Sequence, residues 1–449
     1  MNKRLNNWYD QINIFNKKID DIPNIIYYGH VIGLRGSIIE ATGLKLPIHS
    51  LCIIEIKKNN QINYIECIVI GFLKEKTFLT SFKDVCFIPP NSFIFSKDIK
   101  KHIFQKWPIG FQLLGRVLDG QGKPLDYKPL LNKDWLYTLS GDYINPLNKK
   151  PINEIFDVGI RSINALLTLG KGQKIGLCSQ SGYGKSILLG MISKYSKADI
   201  IVIALIGERG REVQEFLNNS LGLKNLYRSI IIVVPINASP ILKIQGSMYA
   251  MCIAEYFRDK NKDVLLIFDS LTRYAMSERE ISISLGEIPL NQGYPSSIFS
   301  KLSNFIERAS NSSKDSGSIT TFFTILLEYE ENDLILEISK SILDGHIILS
   351  KLYAESGHYP AIDIELSISR VMFNIISKKN YEKSRYLKQL ISVYQKNQDL
   401  INIGAYIHGS NKILDEAIEK WNQIICFLKQ DIFESSSYLK SISELNKII

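Results

Sequence analysis

Residues 174–192, KIGLCSQSGYGKSILLGMI, restrict this chain more than any other stretch. An apolar run of strand length empties into a small polar loop with two glycines, then Lys185-Ser186, then a segment with helical spacing. Such a strand–loop–helix is built to hold a polyphosphate. Gly182 and Gly184 permit backbone conformations and close approach that side chains forbid. The N–H groups along Ser179, Gln180, Ser181, Gly182, Tyr183 and Gly184 can then turn toward phosphate oxygens, helped by the helix N-terminus. Lys185 is positioned to reach the β- and γ-phosphates of ATP, and the Ser186 hydroxyl to ligate Mg2+. The usual motif opens on glycine where this chain has Ser179, but that position lies at the strand exit, away from the lysine, where a small residue suffices.

A phosphate loop of this kind demands an α/β core, and the surrounding chain supplies one. Strand candidates at 174–178, 200–205, 229–235, 263–268 and 319–326 are short and almost wholly apolar, as in a parallel sheet covered on both faces. Two of them end in carboxylates. LLIFDS delivers Asp269 to a strand terminus, where it can hold Mg2+, usually through water. IGERGREV delivers Glu208 to another, where it can polarise an attacking water. The same Glu208, Arg209, Arg211 and Glu212 also suit plain surface ion pairs, and spacing leaves both readings standing.

The rest of the chain divides around this core. Residues 1–24 read as an amphipathic helix with Leu5, Trp8, Ile12, Phe15 and Ile19 on one face, stopped by Pro23. Residues 25–97 show short β runs separated by turn signals and predict a small β-barrel. The P-loop domain takes 98–371, and 372–449 is helix-compatible throughout. With 449 residues, several domains are expected. Hydrophobic residues at 45% and charged residues at 22% match a soluble globular protein. No apolar run is long enough to span a bilayer, and the N-terminus lacks the apolar stretch of a secretory signal, so the cytoplasm is the expected compartment. The six cysteines are scattered without metal-ligand spacing and read as reduced thiols. A net charge of +9 can favour nucleic acid or anionic membranes, or simply reflect a lysine-rich surface.

Taken together, the P-loop, GERGREV and DSLTRYAM resemble the hexameric ATPase family that includes the catalytic subunit of rotary ATP synthases. GYPSSIF (293–299), SILDGHIILSK (341–351) and GHYPAIDIELSISR (357–370) extend the likeness. Within that family the chain is most similar to the flagellum-specific export ATPases, through LLGRVLDGQGKPLD (113–126), DVGIRSINALLTLGKGQ (157–173) and EATGLKLP. The resemblance implies Lys185, Ser186 and Asp269 on the Mg-nucleotide, Glu208 as catalytic carboxylate and Arg209 near the γ-phosphate. It implies that Arg370 enters a neighbouring subunit's site, and that Tyr359 and Tyr406 flank the adenine. Without it, both tyrosines read as core packing and Arg370 as a surface arginine. The chain departs from its relatives in three places. Positions 179 and 180 are Ser and Gln where relatives carry a smaller residue or glycine. YEENDLILEISKS lacks the usual Asp-Pro, and Lys351 replaces an arginine.

The resemblance further implies a homohexamer, a coiled-coil negative regulator on the N-terminal helix and a stalk-like central coiled coil. It implies contact with export substrates, their chaperones and an export gate at the inner membrane, with the anionic membrane surface nearby. A virulence-type secretion ATPase is a close alternative. A rotary synthase subunit would need an acidic C-terminal loop, absent from QLISVYQKNQDLI. An RNA translocase would need stacking aromatics with basic neighbours on its barrel; residues 25–96 offer strand-core aromatics and mixed charge, so no nucleic-acid partner is expected. A non-catalytic subunit would not keep Lys185, Glu208, Asp269 and Arg370 together.

Overall fold

The computed structural model describes residues 8, 11, 12, 15, 28–58, 61–82, 88–96, 106–129, 136–139, 141, 144–180, 182–312, 317–327 and 333–449. Most of the N-terminal amphipathic stretch, Ser181 and the first four residues of YEENDLILEISKS, 329–332, lie outside these residues. The chain forms two compact units, one built on the first strands and the other on residues 107–237, 242–279 and 289–449.

The first unit holds six strands: β1 (Tyr28–Arg35), β2 (Ile38–Thr42), β3 (Leu51–Lys58), β4 (Gln61–Leu73), β5 (Lys76–Ser81) and β6 (Phe93–Ser96). They close into a barrel in the order β1-β2-β5-β4-β3-β6. Alternation drives this closure: Cys52 and Ile54 point inward to meet Val31, Ile39, Cys67, Val69, Leu79 and Ile94, as a strand's two-residue period requires.

The second unit is organised by an eight-stranded sheet. In chain order its strands are β7 (Val117–Leu118), β8 (Lys174–Ser179), β9 (Ile200–Glu208), β10 (Ser229–Pro235), β11 (Val264–Asp269), β12 (Ile319–Leu326), β13 (Gly345–Leu349) and β14 (Ile362–Ser369). Their spatial order is β14-β13-β8-β12-β11-β9-β10-β7. All neighbours run parallel except β13 and β14, which are antiparallel. The five strand expectations all fall on strands of this sheet, and the antiparallel edge strand is an addition to them. β8, β9, β11 and β12 are buried along nearly their whole length, which explains their unbroken apolar runs.

Helices cover the sheet. α1 (Arg161–Leu166) precedes the P-loop strand and α2 (Lys185–Tyr195) follows the loop; α3 (Pro240–Asp259), α4 (Leu271–Ser284), α5 (Ser297–Arg308) and α6 (Leu334–Ile342) connect later strands. The C-terminal part is α7 (Lys378–Lys396), α8 (Lys412–Leu428) and α9 (Tyr438–Ile448). Leu387, Leu390 and Ile391 pack with Ile424, Phe427 and Leu445, and Tyr394 stacks on Trp421 with ring centroids 3.6 Å apart. Asn411 caps α8 through its side-chain oxygen. No helix among the described residues is long and apolar enough to cross a membrane.

These C-terminal helices are tied to the segment that leads into the P-loop strand. Asn164 Nδ2 donates to Ser436 O (2.9 Å), Ser384 Oγ to Ala165 O (2.7 Å) and Gln430 Nε2 to Gly159 O (2.9 Å). Arg161 donates to the carbonyls of Cys426, Phe427 and Lys429 at the end of α8, where a cation meets the negative end of the helix dipole.

Candidate active site

Three parallel strands end at one place. β8 runs into the loop before Lys185, β11 ends in Asp269 and β9 ends in Glu208, with β12 lying between β8 and β11. Because all four strands run the same way, their carboxyl ends deliver these side chains to a common edge, where open α/β sheets hold their ligands. Lys185 Nζ lies 2.6 Å from Asp269 Oδ1 and 3.3 Å from Glu208 Oε1. All three side chains are largely buried, Lys185 and Glu208 at 12% exposure and Asp269 at 6%.

The electrostatics of the cluster follow from one cation facing two carboxylates. Burial works against the charge on Lys185, but the combined attraction of Asp269 and Glu208 wins and holds its pKa above the ordinary lysine value. Glu208 is pushed up to about 8, chiefly by burial and then by the negative charge of Asp269 and by Glu212, with Lys185 opposing. A carboxyl shifted that far exchanges its proton near neutral pH, where an ordinary glutamate stays ionised.

Two glycines are required here. Gly207, just before Glu208, has φ +77°, and a Cβ on it would lie 2.9 Å from Arg273 Cβ. Gly184 opens α2 with φ +83°, and a Cβ there would meet the Tyr359 ring at 3.1 Å. Gly182 also has positive φ, at +91°. Tyr183 donates its hydroxyl to Gln180 Oε1 at 2.6 Å, bridging the loop. Ser179 is fully buried at the strand end, which leaves room for a small residue. Ser186 is exposed on the first turn of α2, and Ser181 lies outside the described residues.

Beside the loop is a cavity of about 550 Å³ lined by Gly184, Ile187, Met191, Tyr359, Pro360 and residues 429–432. Tyr359 is half-exposed there at 40%. Gln430, buried, holds the opposite wall in place: its N–H donates to Tyr359 O at 3.0 Å, and its Oε1 accepts from Arg161 N at 2.7 Å. A nucleotide whose phosphates rest on the loop would find this cavity next to Gly184, an apolar slot with a few polar groups.

The structure therefore brings together Lys185, Glu208, Asp269, the loop and Tyr359. It does not bring Tyr406, whose hydroxyl donates to Asp415 Oδ1 at 2.8 Å in the first turn of α8 and which does not line the cavity. Arg209 is exposed, 3.8 Å from Glu212. Arg370 lies far from the loop. It follows Ser369, which pairs with Gly345, and Gly345 pairs with Ile175 near the start of the P-loop strand. Its guanidinium is exposed and donates to Lys340 O at 2.9 Å. Sequence reasoning missed the wall at 429–432, and it missed Thr324, whose hydroxyl lies 2.6 Å from Asp269 Oδ1. A lone hydroxyl in the apolar run FFTIL was the available signal for the latter.

Comparison with known proteins gives this arrangement its family. Residues 159–369 match the nucleotide-binding domain of the ATP synthase alpha/beta family. Residues 376–447 match the T3SS EscN ATPase C-terminal domain. The chain is 54% identical to the flagellum-specific ATP synthase of Buchnera aphidicola subsp. Acyrthosiphon pisum, covering 100% of this chain and 97% of that protein. It is 45% identical to that of Salmonella typhimurium, with 100% and 99% covered. The assembled ATPase EscN of the enteropathogenic E. coli type III secretion system superimposes with TM-score 0.87 at 38% identity, over 94% of this chain and 99% of that one. EscN in complex with its central stalk EscO gives TM-score 0.82 at 36% identity, with the same coverage. The chain belongs to the ATP synthase alpha/beta family and, within it, to the P-loop ATPases of flagellar and type III protein export.

Proposed function

We propose that this chain hydrolyses Mg-ATP at sites shared between subunits of a homohexamer, and that hydrolysis serves to release and unfold proteins exported during flagellum assembly. The observation that carries the reading is Lys185, buried at the exit of the P-loop strand and held by the two carboxylates Asp269 and Glu208. A buried ammonium whose partners among the described residues are side chains is a cation waiting for phosphate: incoming β- and γ-phosphates offer it more negative charge than the pair it leaves. The backbone N–H groups of the loop and the start of α2 receive the remaining oxygens, and the purine lies in the cavity against Tyr359.

Freed of Lys185, Glu208 faces the water that attacks the γ-phosphorus. It takes the proton as the new P–O bond forms and the bond to the β-phosphate oxygen breaks, giving ADP and inorganic phosphate. Ser186 and Asp269 offer hard oxygen donors, the chemistry that Mg2+ prefers. When bound there, the ion neutralises charge on the phosphates. Arg209, exposed one residue beyond Glu208, is available to the γ-phosphate side.

Arg370 supports the shared site. It stands near the amino end of the P-loop strand, roughly 13 Å along that strand from the loop at ~3.3 Å per residue, so it does not serve the phosphates of its own chain. An exposed arginine parked on a carbonyl can instead enter a neighbour's site and fork onto phosphate oxygens. The complex of EscN with its stalk supports a coiled-coil stalk in the hexamer's centre here too. A coiled-coil regulator on the N-terminal amphipathic stretch, export substrates and their chaperones, and an export gate at the inner membrane complete the proposed setting.

The experiment is Lys185→Ala, with phosphate release measured at saturating Mg-ATP. Turnover should fall by about 10²–10³ or more, the scale for removing one preorganised charge stabiliser. Turnover near that of the parent protein would remove the P-loop from the mechanism.

A further inference from the structure

Thr324 stands inside β12, the strand interposed between the P-loop strand and the strand that ends in Asp269. Its backbone is paired with Leu177, and it is fully buried. Its Oγ1 lies 2.6 Å from Asp269 Oδ1 and 3.3 Å from Phe268 O. A hydroxyl has one proton to give. The shorter distance and the charge of the acceptor assign that proton to the carboxylate. Lys185 Nζ meets the same oxygen, also at 2.6 Å. Two donors thus converge on Oδ1, and among the described residues no hydrogen bond to Oδ2 is seen.

The two donors respond differently to a nucleotide. Lys185 sits on a flexible stem at the loop and turns toward phosphate. Thr324 is β-branched and fixed in a central strand, so its rotamer is restricted and it cannot follow. Once the lysine has turned, Asp269 has lost its cation, and the hydroxyl of Thr324 is what keeps the carboxylate from rotating.

We propose that Thr324 is a positioning residue that holds Asp269 in its metal-facing orientation through the nucleotide cycle. This rests on the reading of Asp269 as a carboxylate facing the Mg-nucleotide. Thr324 itself touches neither nucleotide nor attacking water, so it acts through Asp269. The proposal makes the hydroxyl matter and the side-chain volume secondary, and it places the effect on the metal-dependent part of binding alone.

The test uses the full-length protein with Thr324→Val, Thr324→Ala and Thr324→Ser, and Asp269→Asn as control. Binding of a fluorescent ADP is measured in EDTA and across a Mg2+ titration, with kcat followed in parallel. Thr324→Val and Thr324→Ala should raise the half-saturating Mg2+ concentration by about 10- to 100-fold, the range for outer partners of metal-facing ligands. Affinity in EDTA should stay unchanged, and Thr324→Ser should behave like the parent. Three results would overturn the proposal: a native Mg2+ response in Thr324→Val, an effect that follows volume so that only the alanine variant is impaired, or an equal loss with and without metal. If Asp269→Asn shifts the Mg2+ response and neither Thr324→Val nor Thr324→Ala does, Thr324 alone falls. If Asp269→Asn responds natively, the reading of Asp269 falls with it.

Discussion

At the carboxyl end of the central sheet, Lys185, Glu208 and Asp269 share a buried space. At the amino end of the same strands, Lys171 bridges Asp263 (2.7 Å) and Glu154 (3.0 Å), and Lys174 meets Glu307 at 2.7 Å. The residue types and distances are nearly the same. The proton affinities go opposite ways. Glu208 is pushed up, burial being the largest cause. Glu154 is held below its usual range by hydrogen bonds from Lys171 and Lys150. Asp263 and Glu307 are lowered too, although burial opposes the shift, because Lys171 and Lys174 donate to them. At the amino end cations compensate the carboxylates and water screens the rest. At the carboxyl end one ammonium must serve two buried carboxylates and one of them is left under-compensated. Ion pairs of the first kind stabilise a fold modestly; an arrangement of the second kind is reactive and pairs poorly until a ligand arrives.

Arg370 can break this division, because it lies near the amino end of the sheet and is proposed to be catalytic. Arg370→Ala should bind nucleotide and lose about 10³–10⁵ in turnover, the range for an arginine supplied across an interface. Mixing it with Lys185→Ala should restore some activity, since the Lys185→Ala subunit lends its Arg370 to an intact loop next door. If mixed oligomers demonstrably form and phosphate release does not recover, Arg370 belongs with the structural charges at its own end of the sheet.

Glu208→Gln sharpens the comparison. Removing a general base typically costs about 10²–10⁴ in turnover, and the amide should leave nucleotide affinity nearly intact. The second readout is stability of the nucleotide-free protein against pH. Glu208 has a folded-state pKa raised above its unfolded value, so its contribution is fully present below the ordinary glutamate range and is lost as pH rises toward and through about 8. Asp263, Glu154 and Glu307 are depressed, so their contribution is present above the ordinary carboxylate range and lost as pH falls through the lowered values. Denaturation midpoints measured from pH 5 to 9 should therefore decline less in Glu208→Gln than in the parent. Parallel profiles would mean that Glu208 is compensated like its counterparts at the other end.

This division also explains what could be read from the residues alone. The buried strands are legible because burial on both faces leaves unbroken apolar runs, and Asp269 and Glu208 stand out because each terminates one. Strand direction is not written in composition, so the antiparallel run of β14, which carries Arg370 to the amino end, stayed hidden. The cavity wall at 429–432 lies in the turn KQDI, with no periodicity to announce that it closes over Gly184. Tyr406 shows the converse: only the family resemblance implies a place for it beside adenine, while in this structure its hydroxyl is engaged by Asp415 and the turn that lines the cavity is the later one. Thr324 was hidden by its surroundings, since a threonine in a buried strand usually signals β-propensity and nothing more.

The smallest effect is expected from Lys171→Met, which removes the amino-end cation and keeps most of its stem packing. The backbone bond from Lys171 N to Glu154 O (2.8 Å) survives the change. Asp263 keeps the Ser318 hydroxyl at 2.8 Å, so no buried carboxylate is stranded. Exposures of 30% for Lys171 and 53% for Glu154 mean that water already screens part of the attraction. The loss should be at most about 1 kcal/mol, a shift of roughly 2–4 °C in melting temperature or less for a unit of this size. It should fade at high salt and vanish as pH falls through the lowered values of Asp263 and Glu154, because a protonated acid no longer needs the ammonium. Phosphate release should not change. A large drop in turnover without a matching drop in stability would show that the two ends of the sheet are coupled during hydrolysis, and charge at the amino end would then have to be counted as part of the catalytic machinery.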